Sequence, residues 1–191
     1  MSGNTPVLPW EVLSHIFVVA HASQSNSEPR LEVAVSQMNM YWREVAIHTP
    51  VLWSTINATS NKDWGAVECY LARSVKCRLD IRIYLHEHPS SIGLDAGEMG
   101  RALRPQIGRC RLLHVHGTAP FEALRRLTYE FKDIAAPLLE DLSIIHNGPD
   151  GLYPPLLFSR GAPALKNACL VDYIQLSPPT NLTNLHLIGS V

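Results

Sequence analysis

The feature that most constrains this chain is an apolar template that recurs four times in its second half. Aligned, the copies are Cys110-x-x-Leu113-x-Val115, Leu139-x-x-Leu142-x-Ile144, Leu165-x-x-Ala168-x-Leu170 and Leu182-x-x-Leu185-x-Leu187, with starts 29, 26 and 17 residues apart. Each copy reads as a short strand whose apolar face is too small to bury itself. Neighbouring copies must therefore stack and share one core. The alternative is an ordinary α/β domain of alternating helices and strands, and the fourfold recurrence favours the stack.

Segments between the copies fit that plan. Leu79, Ile81, Ile83 and Leu85 alternate with Arg78, Asp80, Arg82 and Tyr84, the period of a half-buried strand. Trp64, Val67 and Leu71 mark a helix that ends near Ser74. Met99, Leu103 and Ile107 suggest a helical segment kinked at Pro105. Phe121, Leu124, Leu127 and Phe131 suggest another helix, Asn147-Gly148 a turn, and Pro155 to Arg160 a short helix. An L-x-x-L-x-L element at a period of roughly 20–29 residues is the strand signature of leucine-rich repeats. The first two spacings fall at or inside that range and the last is short.

Ahead of the repeats the pattern is helical. Pro9 suits the first turn of a helix, and Val12, Leu13, Ile16, Phe17 and Ala20 then recur at helical spacing. Residues 21–30 read as a loop. Leu31, Val35, Met38, Trp42 and Val45 follow at steps of 4, 3, 4 and 3, one face of a second helix. Thr49-Pro50 predicts an N-cap and first helical position for a short third helix bearing Leu52 and Trp53. Residues 57–63 read as a polar linker. Periodicity alone also allows a generic helical cap, since a unit of about fifty residues is marginal by itself.

The order of these N-terminal residues carries a resemblance. Leu8-Pro9-x-Glu11-Val12-Leu13-x-x-Ile16-Phe17, then Val35-Ser36-x-Met38-x-x-x-Trp42-Arg43-Glu44-Val45-Ala46 and Thr49-Pro50-x-Leu52-Trp53, resemble the F-box-like domain abundant in basidiomycete fungi. Tyr70-Leu71-Ala72-Arg73-Ser74 with Leu79-Asp80-Ile81, and Leu157-Phe158-Ser159-Arg160-Gly161-Ala162-Pro163-Ala164-Leu165, are similar to later motifs of the same family. Two departures stand out: Trp10 replaces a common proline, and Asn39-Met40-Tyr41 replaces a usually basic stretch. The resemblance implies an α+β chain, with a three-helix F-box followed by an irregular α/β leucine-rich-repeat-like solenoid. Its parts would be a polar tail (1–6), the F-box-like domain (7–56), a linker and helix (57–76), and a target-binding repeat region (77–191). The repeat stops without a capping turn, so a truncated form of a longer protein is expected.

The same resemblance implies a function. An F-box docks on the Skp-type adaptor of a cullin–RING (SCF-type) ubiquitin ligase, and the repeats hold a target protein of unknown identity. Carried over by position, the adaptor-binding residues would be Leu8, Pro9, Val12, Leu13 and Ile16, with Trp42 and Val45 from the second helix and Leu52 and Trp53 from the third. A scaffold with a degenerate box that no longer docks is the other reading.

Composition closes several routes. Of the 191 residues 46% are apolar and 17% charged, enough for a core, and the formal net charge of -1 gives no basic excess for nucleic acid. No apolar run approaches the roughly 18 residues of a membrane helix, and the N-terminus lacks the order of a signal peptide. Cys69, Cys77, Cys110 and Cys169 are spread out and read as free thiols in the cytosol or nucleus, where the sequons Asn57-Ala58-Thr59 and Asn181-Leu182-Thr183 carry little meaning. His86-x-His88 and His114-x-His116 are too few ligands for zinc. Adjacent Glu140 and Asp141 point to opposite strand faces, and Arg101, Arg104, Arg109 and Arg111 read as a solvated helix face. Serine-elbow, Walker and His-Glu-x-x-His motifs are missing. No catalytic residue, metal or cofactor is expected.

Overall fold

A computed structural model of the chain describes residues 8–24, 30–59, 64–86, 96–118, 121–146, 156–171, 175–176 and 181–188. The architecture is mixed α/β; among the described residues there are six α-helices, and every strand pairing is parallel. The chain divides into two compact units, Met1–Ser54 with Tyr70–Cys77, and Thr55–Cys69 with Arg78–Val191.

The first unit is helical. α1 spans Trp10–Ala22, α2 Leu31–Met38 and α3 Met40–Ile47, followed by a 3-10 turn at Pro50–Trp53. The helix read from Leu31 to Val45 is two helices. Asn39 is extended (φ -158°, ψ 173°), and its side chain accepts from the Trp42 backbone N–H at 2.8 Å. An asparagine that caps the following turn competes with continuing the helix, so the break falls there while the apolar steps survive on both sides. Thr49 does not act as a side-chain cap. Its hydroxyl donates to the Val45 carbonyl at 2.7 Å and meets the Ser14 hydroxyl at 2.9 Å.

Leu13, Phe17, Val35, Val45, Ala46, Leu52 and Trp53 form the buried core of this unit. Trp53 satisfies its indole N–H on the Ala46 carbonyl at 2.8 Å, and Phe17 meets Trp42 edge-on at 5.4 Å. One carboxylate is also buried. Glu32 accepts the Tyr70 hydroxyl at 2.5 Å and lies 3.9 Å from His21 Nε2. Tyr70 packs edge-on against Trp53 at 5.1 Å, with the Arg30 guanidinium 5.0 Å from its ring centre. Burial, and then the bond to Glu32, raises the phenol above its ordinary pKa.

The second unit is built on a six-stranded sheet in the order β1 (Thr55–Thr59), β2 (Leu79–Leu85), β3 (Cys110–Gly117), β4 (Asp141–His146), β6 (Asn167–Val171) and β8 (Asn184–Ile188). Strand order follows chain order, so each crossover adds its strand beside the last. The register stacks the template residue on residue. Ile56, Ile81, Leu113, Leu142 and Ala168 form one buried row; Ala58, Ile83, Val115, Ile144 and Leu170 form the next. Leu185 and Leu187 of β8 continue these rows but are each 54% exposed. The ladder thus reaches two strands ahead of the four aligned copies. Thr55–Thr59 pairs with β2, so residues 57–59 are strand and not linker; the rest of that stretch, 60–63, lies outside the described residues.

Helices fill the crossovers. α4 covers Trp64–Arg73 and α5 covers Ala96–Leu103, where Pro105 converts the continuation to a 3-10 stretch at Arg104–Arg109; α6 covers Phe121–Tyr129. α5 packs against α6. The short helix expected over Pro155–Arg160 is instead a two-residue strand, β5 (Leu156–Leu157), and a turn. β5 pairs with β7 (Gln175–Leu176). Phe158 takes a left-handed φ of 50°, its N–H bonded to the Phe131 carbonyl at 3.1 Å, and the two rings stack at 6.5 Å. The Ala-Pro-x-Leu turns at 136–139 and 162–165 repeat the same backbone bond, Leu139 to Ala136 and Leu165 to Ala162. Asn147-Gly148 lies outside the described residues.

Two glycines test the turn and the ladder separately. Gly161 has φ 95° with open space around a would-be Cβ, so Gly161→Ala pays only backbone strain, about 1–2 kcal/mol. Gly117 has an ordinary φ, but a Cβ would overlap the Leu85 carbonyl; Gly117→Ala is expected to cost about 1–3 kcal/mol and to weaken β2–β3 protection in hydrogen exchange. Urea titrations of both variants measure these losses.

Tyr70 gives a third test. A raised folded-state pKa means stabilisation that is full below the unfolded value, about pH 10, and is lost as the pH climbs above it. Tyrosine absorbance followed upward from about pH 9 should show one of the six tyrosines ionising late. Tyr70→Phe should remove that late step and lower stability at neutral pH by about 1.5–3 kcal/mol.

Candidate functional site

In the first unit the notable surface is one side of α1. Of its thirteen residues only Leu13 and Phe17 are buried. Val12 and Ile16 are each 45% exposed, Val19 is 52% and the preceding Leu8 is 46%. Steps of four and three residues place Val12, Ile16 and Val19 along one helical stripe, with Leu8 two residues ahead of the helix. Pro9 is exposed beside it, and the Leu8 carbonyl is held by the Tyr41 hydroxyl at 2.8 Å. A helix of this composition normally turns its apolar stripe inward. Here the inward stripe and an outward one lie side by side, and the outward one stays exposed among the described residues.

The residues singled out from sequence therefore fall into two groups. Leu8, Pro9, Val12 and Ile16 lie on the exposed stripe. Leu13, Val45, Leu52 and Trp53 lie in the core, and Trp42 is half-buried against Phe17. Val19 belongs to the stripe and was missed, although its spacing from Val12 and Ile16 carried the signal. The two departures from the family pattern meet in space: the Trp10 ring lies 6.2 Å from Tyr41, edge-on, and 5.7 Å from His48.

In the second unit the sheet face opposite the buried rows is polar. One row reads Thr55, Asp80, Leu112, Asp141, Asn167 and Asn184, and the next reads Asn57, Arg82, His114, Ser143, Cys169 and His186. His114 Nε2 meets Asp141 Oδ1 at 2.6 Å, Asn167 donates to Asp141 Oδ2 at 3.2 Å, and Asn184 donates to Asn167 at 2.8 Å. A polar chain thus crosses four strands. Tyr84 stacks on His116 at 6.2 Å, and burial together with His114 lowers the pKa of His116. Arg111 pairs with Asp80.

His114 and His116 share a face with ring centres 5.9 Å apart, yet among the described residues no group of three or more His, Cys, Asp or Glu is placed to hold a metal; His88 lies outside them. The adjacent carboxylates diverge: Asp141 turns to His114, while Glu140 pairs with Lys166 at 2.9 Å, which together with Arg78 and Arg111 holds its pKa down. The arginine cluster disperses onto separate partners, Arg104 on the Glu130 carbonyl and Arg109 on Gln106. All four cysteines are free. Burial pushes the Cys110 thiol up to about 12, which makes it a core side chain without thiolate reactivity. No described helix is long and apolar enough to cross a membrane.

Comparison with known proteins adds nothing further: no family model, no curated protein and no solved structure matches this chain.

The stripe and the core make separable predictions. Leu13→Ala should cost about 2–5 kcal/mol in a urea titration, because it opens a cavity. Val12→Ala and Ile16→Ala, at exposed positions, should each stay within about 0.5 kcal/mol of the parent.

Proposed function

We propose that this chain is the substrate-receptor subunit of an SCF-type ubiquitin ligase, with an F-box-like unit that docks on a Skp-type adaptor and a leucine-rich-repeat-like region that holds a target protein. The observation that carries the reading is the exposed stripe Val12, Ile16 and Val19 on α1, with the exposed Leu8 just ahead of it. It lies in the segment that resembles the F-box, and an apolar row left outside a small helical core is what a partner helix or groove completes. Support for the second half comes from six parallel strands in chain order, with template residues stacked in register. That is the arrangement expected when short repeats bury their faces only against each other.

Such a subunit does no chemistry of its own. It raises the effective concentration of a target lysine near the charged conjugating enzyme, and its contribution to rate is proximity. The cytosol or nucleus is its setting.

A ligase-independent scaffold with a degenerate box is the second reading. The Trp10–Tyr41–His48 cluster favours it, because aromatic rings occupy the fringe where the family carries proline and basic residues.

Co-precipitation with a purified Skp-type adaptor separates the two. Capture by the parent chain that is lost in Val12→Asp/Ile16→Asp, with an unchanged melting temperature, is the expected result; each stripe anchor should contribute about 2 kcal/mol. Capture that survives this pair, or Leu8→Ala with Pro9→Ala, would show that the contact lies elsewhere. No capture by the folded parent would favour the scaffold.

A further inference from the structure

The polar sheet face holds a carboxylate in a cavity whose described lining has no lysine or arginine, and that charge selects a ligand class. A cavity of about 520 Å³ opens there over β3, β4, β6 and β8, lined by His114, Asp141, Ser143, Thr183, Asn184 and His186 among others. Asp141 faces His114, and since a carboxylate only accepts, His114 Nε2 carries the proton. Asn167 donates to Asp141, Asn184 donates to Asn167, and the Thr183 hydroxyl donates to the Lys166 carbonyl at 2.9 Å. One N–H of each amide and the threonine O–H turn into the wall, and the second N–H of each amide stays available. The second lone pairs of Asp141, the Asn184 amide oxygen and the Thr183 oxygen remain.

Two further observations point the same way. Asp141 is a carboxylate with no lysine or arginine beside it in the described lining, so the cavity is negative when its imidazoles are neutral. Ser143 lines it with only 8% exposure, and its hydroxyl has no hydrogen-bond partner among the described residues. A hydroxyl held this way is a ready acceptor beside the carboxylate.

We propose that this cavity binds a donor-rich cation, the ammonium or guanidinium end of a lysine- or arginine-like group. Asp141 supplies the counter-charge, and Ser143 and Asn184 supply neutral acceptors. An ammonium has three donors and no acceptor, and a guanidinium has five donors, which suits the lone pairs left on Asp141, Ser143 and Asn184. An anion would meet the Asp141 charge with no lysine or arginine in the described lining to offset it. The volume suits a long side chain with its stem. The inference builds on the reading of the sheet as the target-holding half, and names the chemistry of what it holds.

The test uses the full chain without any adaptor, so its outcome is independent of docking. Isotope-labelled protein in about 0.15 M salt, where surface charges are screened, is titrated with spermidine, with a blocked lysine-containing peptide, and with the same peptide carrying glutamate. Saturable shifts at Ser143, Asn167 and Asn184 with a cationic probe are expected, and none with the glutamate peptide. Response to the peptide alone assigns a protein segment; response to spermidine alone assigns a free polyamine. Asp141→Asn should weaken binding by about 10- to 100-fold and Ser143→Ala by roughly 5-fold, the range of hydrogen bonds to a charged group and to a neutral one. Asp133→Asn, a carboxylate outside the cavity, should change nothing. The proposal fails if no cationic probe saturates, if the glutamate peptide binds equally, or if folded Asp141→Asn binds like the parent. Should Asp141→Asn not fold, Ser143→Ala decides by the same criterion.

Discussion

Parallel register is the constraint on which the second unit depends. Each strand is bonded only to its predecessor and its successor, so a template residue has no burial until the next strand lies beside it. Leu113 on Leu142 on Ala168 is one continuous row, and displacement of a single strand by one residue would move that row to the polar face. The backbone reinforces the register before each strand begins. Glu140 N–H bonds to Arg111, Lys166 to Glu140 and Thr183 to Lys166, all at 2.8–2.9 Å, a ladder of entry points two residues ahead of Leu142, Ala168 and Leu185. The Glu140–Lys166 ion pair lies on the same ladder, exposed, and adds specificity more than stability.

The first unit solves a different problem. Its core is small, and its apolar content exceeds what three short helices bury. It nevertheless buries a carboxylate, Glu32, which apolar packing alone would exclude. The Tyr70 hydroxyl and the nearby His21 ring make that burial tolerable, and Tyr70 is in turn clamped by Trp53 and Arg30. A buried polar contact is stabilising only when fully partnered, and it then admits few alternative packings. Glu32 therefore fixes where Tyr70 sits, a long-range contact between residues 38 apart in sequence.

Much of this was legible in the sequence, and the limits are physical. Period-2 alternation announced β2, and the repeated template placed β3, β4, β6 and β8, because burial on one face leaves a direct mark on composition. β1 escaped because Asn57 and Thr59 dominate its polar face, and only Ile56 and Ala58 face inward. β5 and β7 are two residues each, too short to show a period. Asn39 was hidden inside an unbroken helical spacing, since a cap is a local hydrogen bond and leaves the apolar steps intact. The polar chain from His114 to Asn184 could not be read at all. Its members lie in separate copies, and only the register brings them together.

Adjacent positions on α1 show why sequence can name a surface without resolving it. Val12 and Leu13, or Ile16 and Phe17, are neighbours about 100° apart around the helix. A wide apolar stripe in sequence therefore spans two functions, one half filling the core and the other facing outward. Which half is which depends on where α2 and α3 lie, and that is set by Val45, Leu52 and Trp53 packing beneath Leu13 and Phe17. Motif resemblance gave one list for both halves because both are constrained to be apolar. Exposure divides it. The core half answers to stability alone, whereas the outer half is exposed among the described residues, and so the outer half is where a partner should be sought.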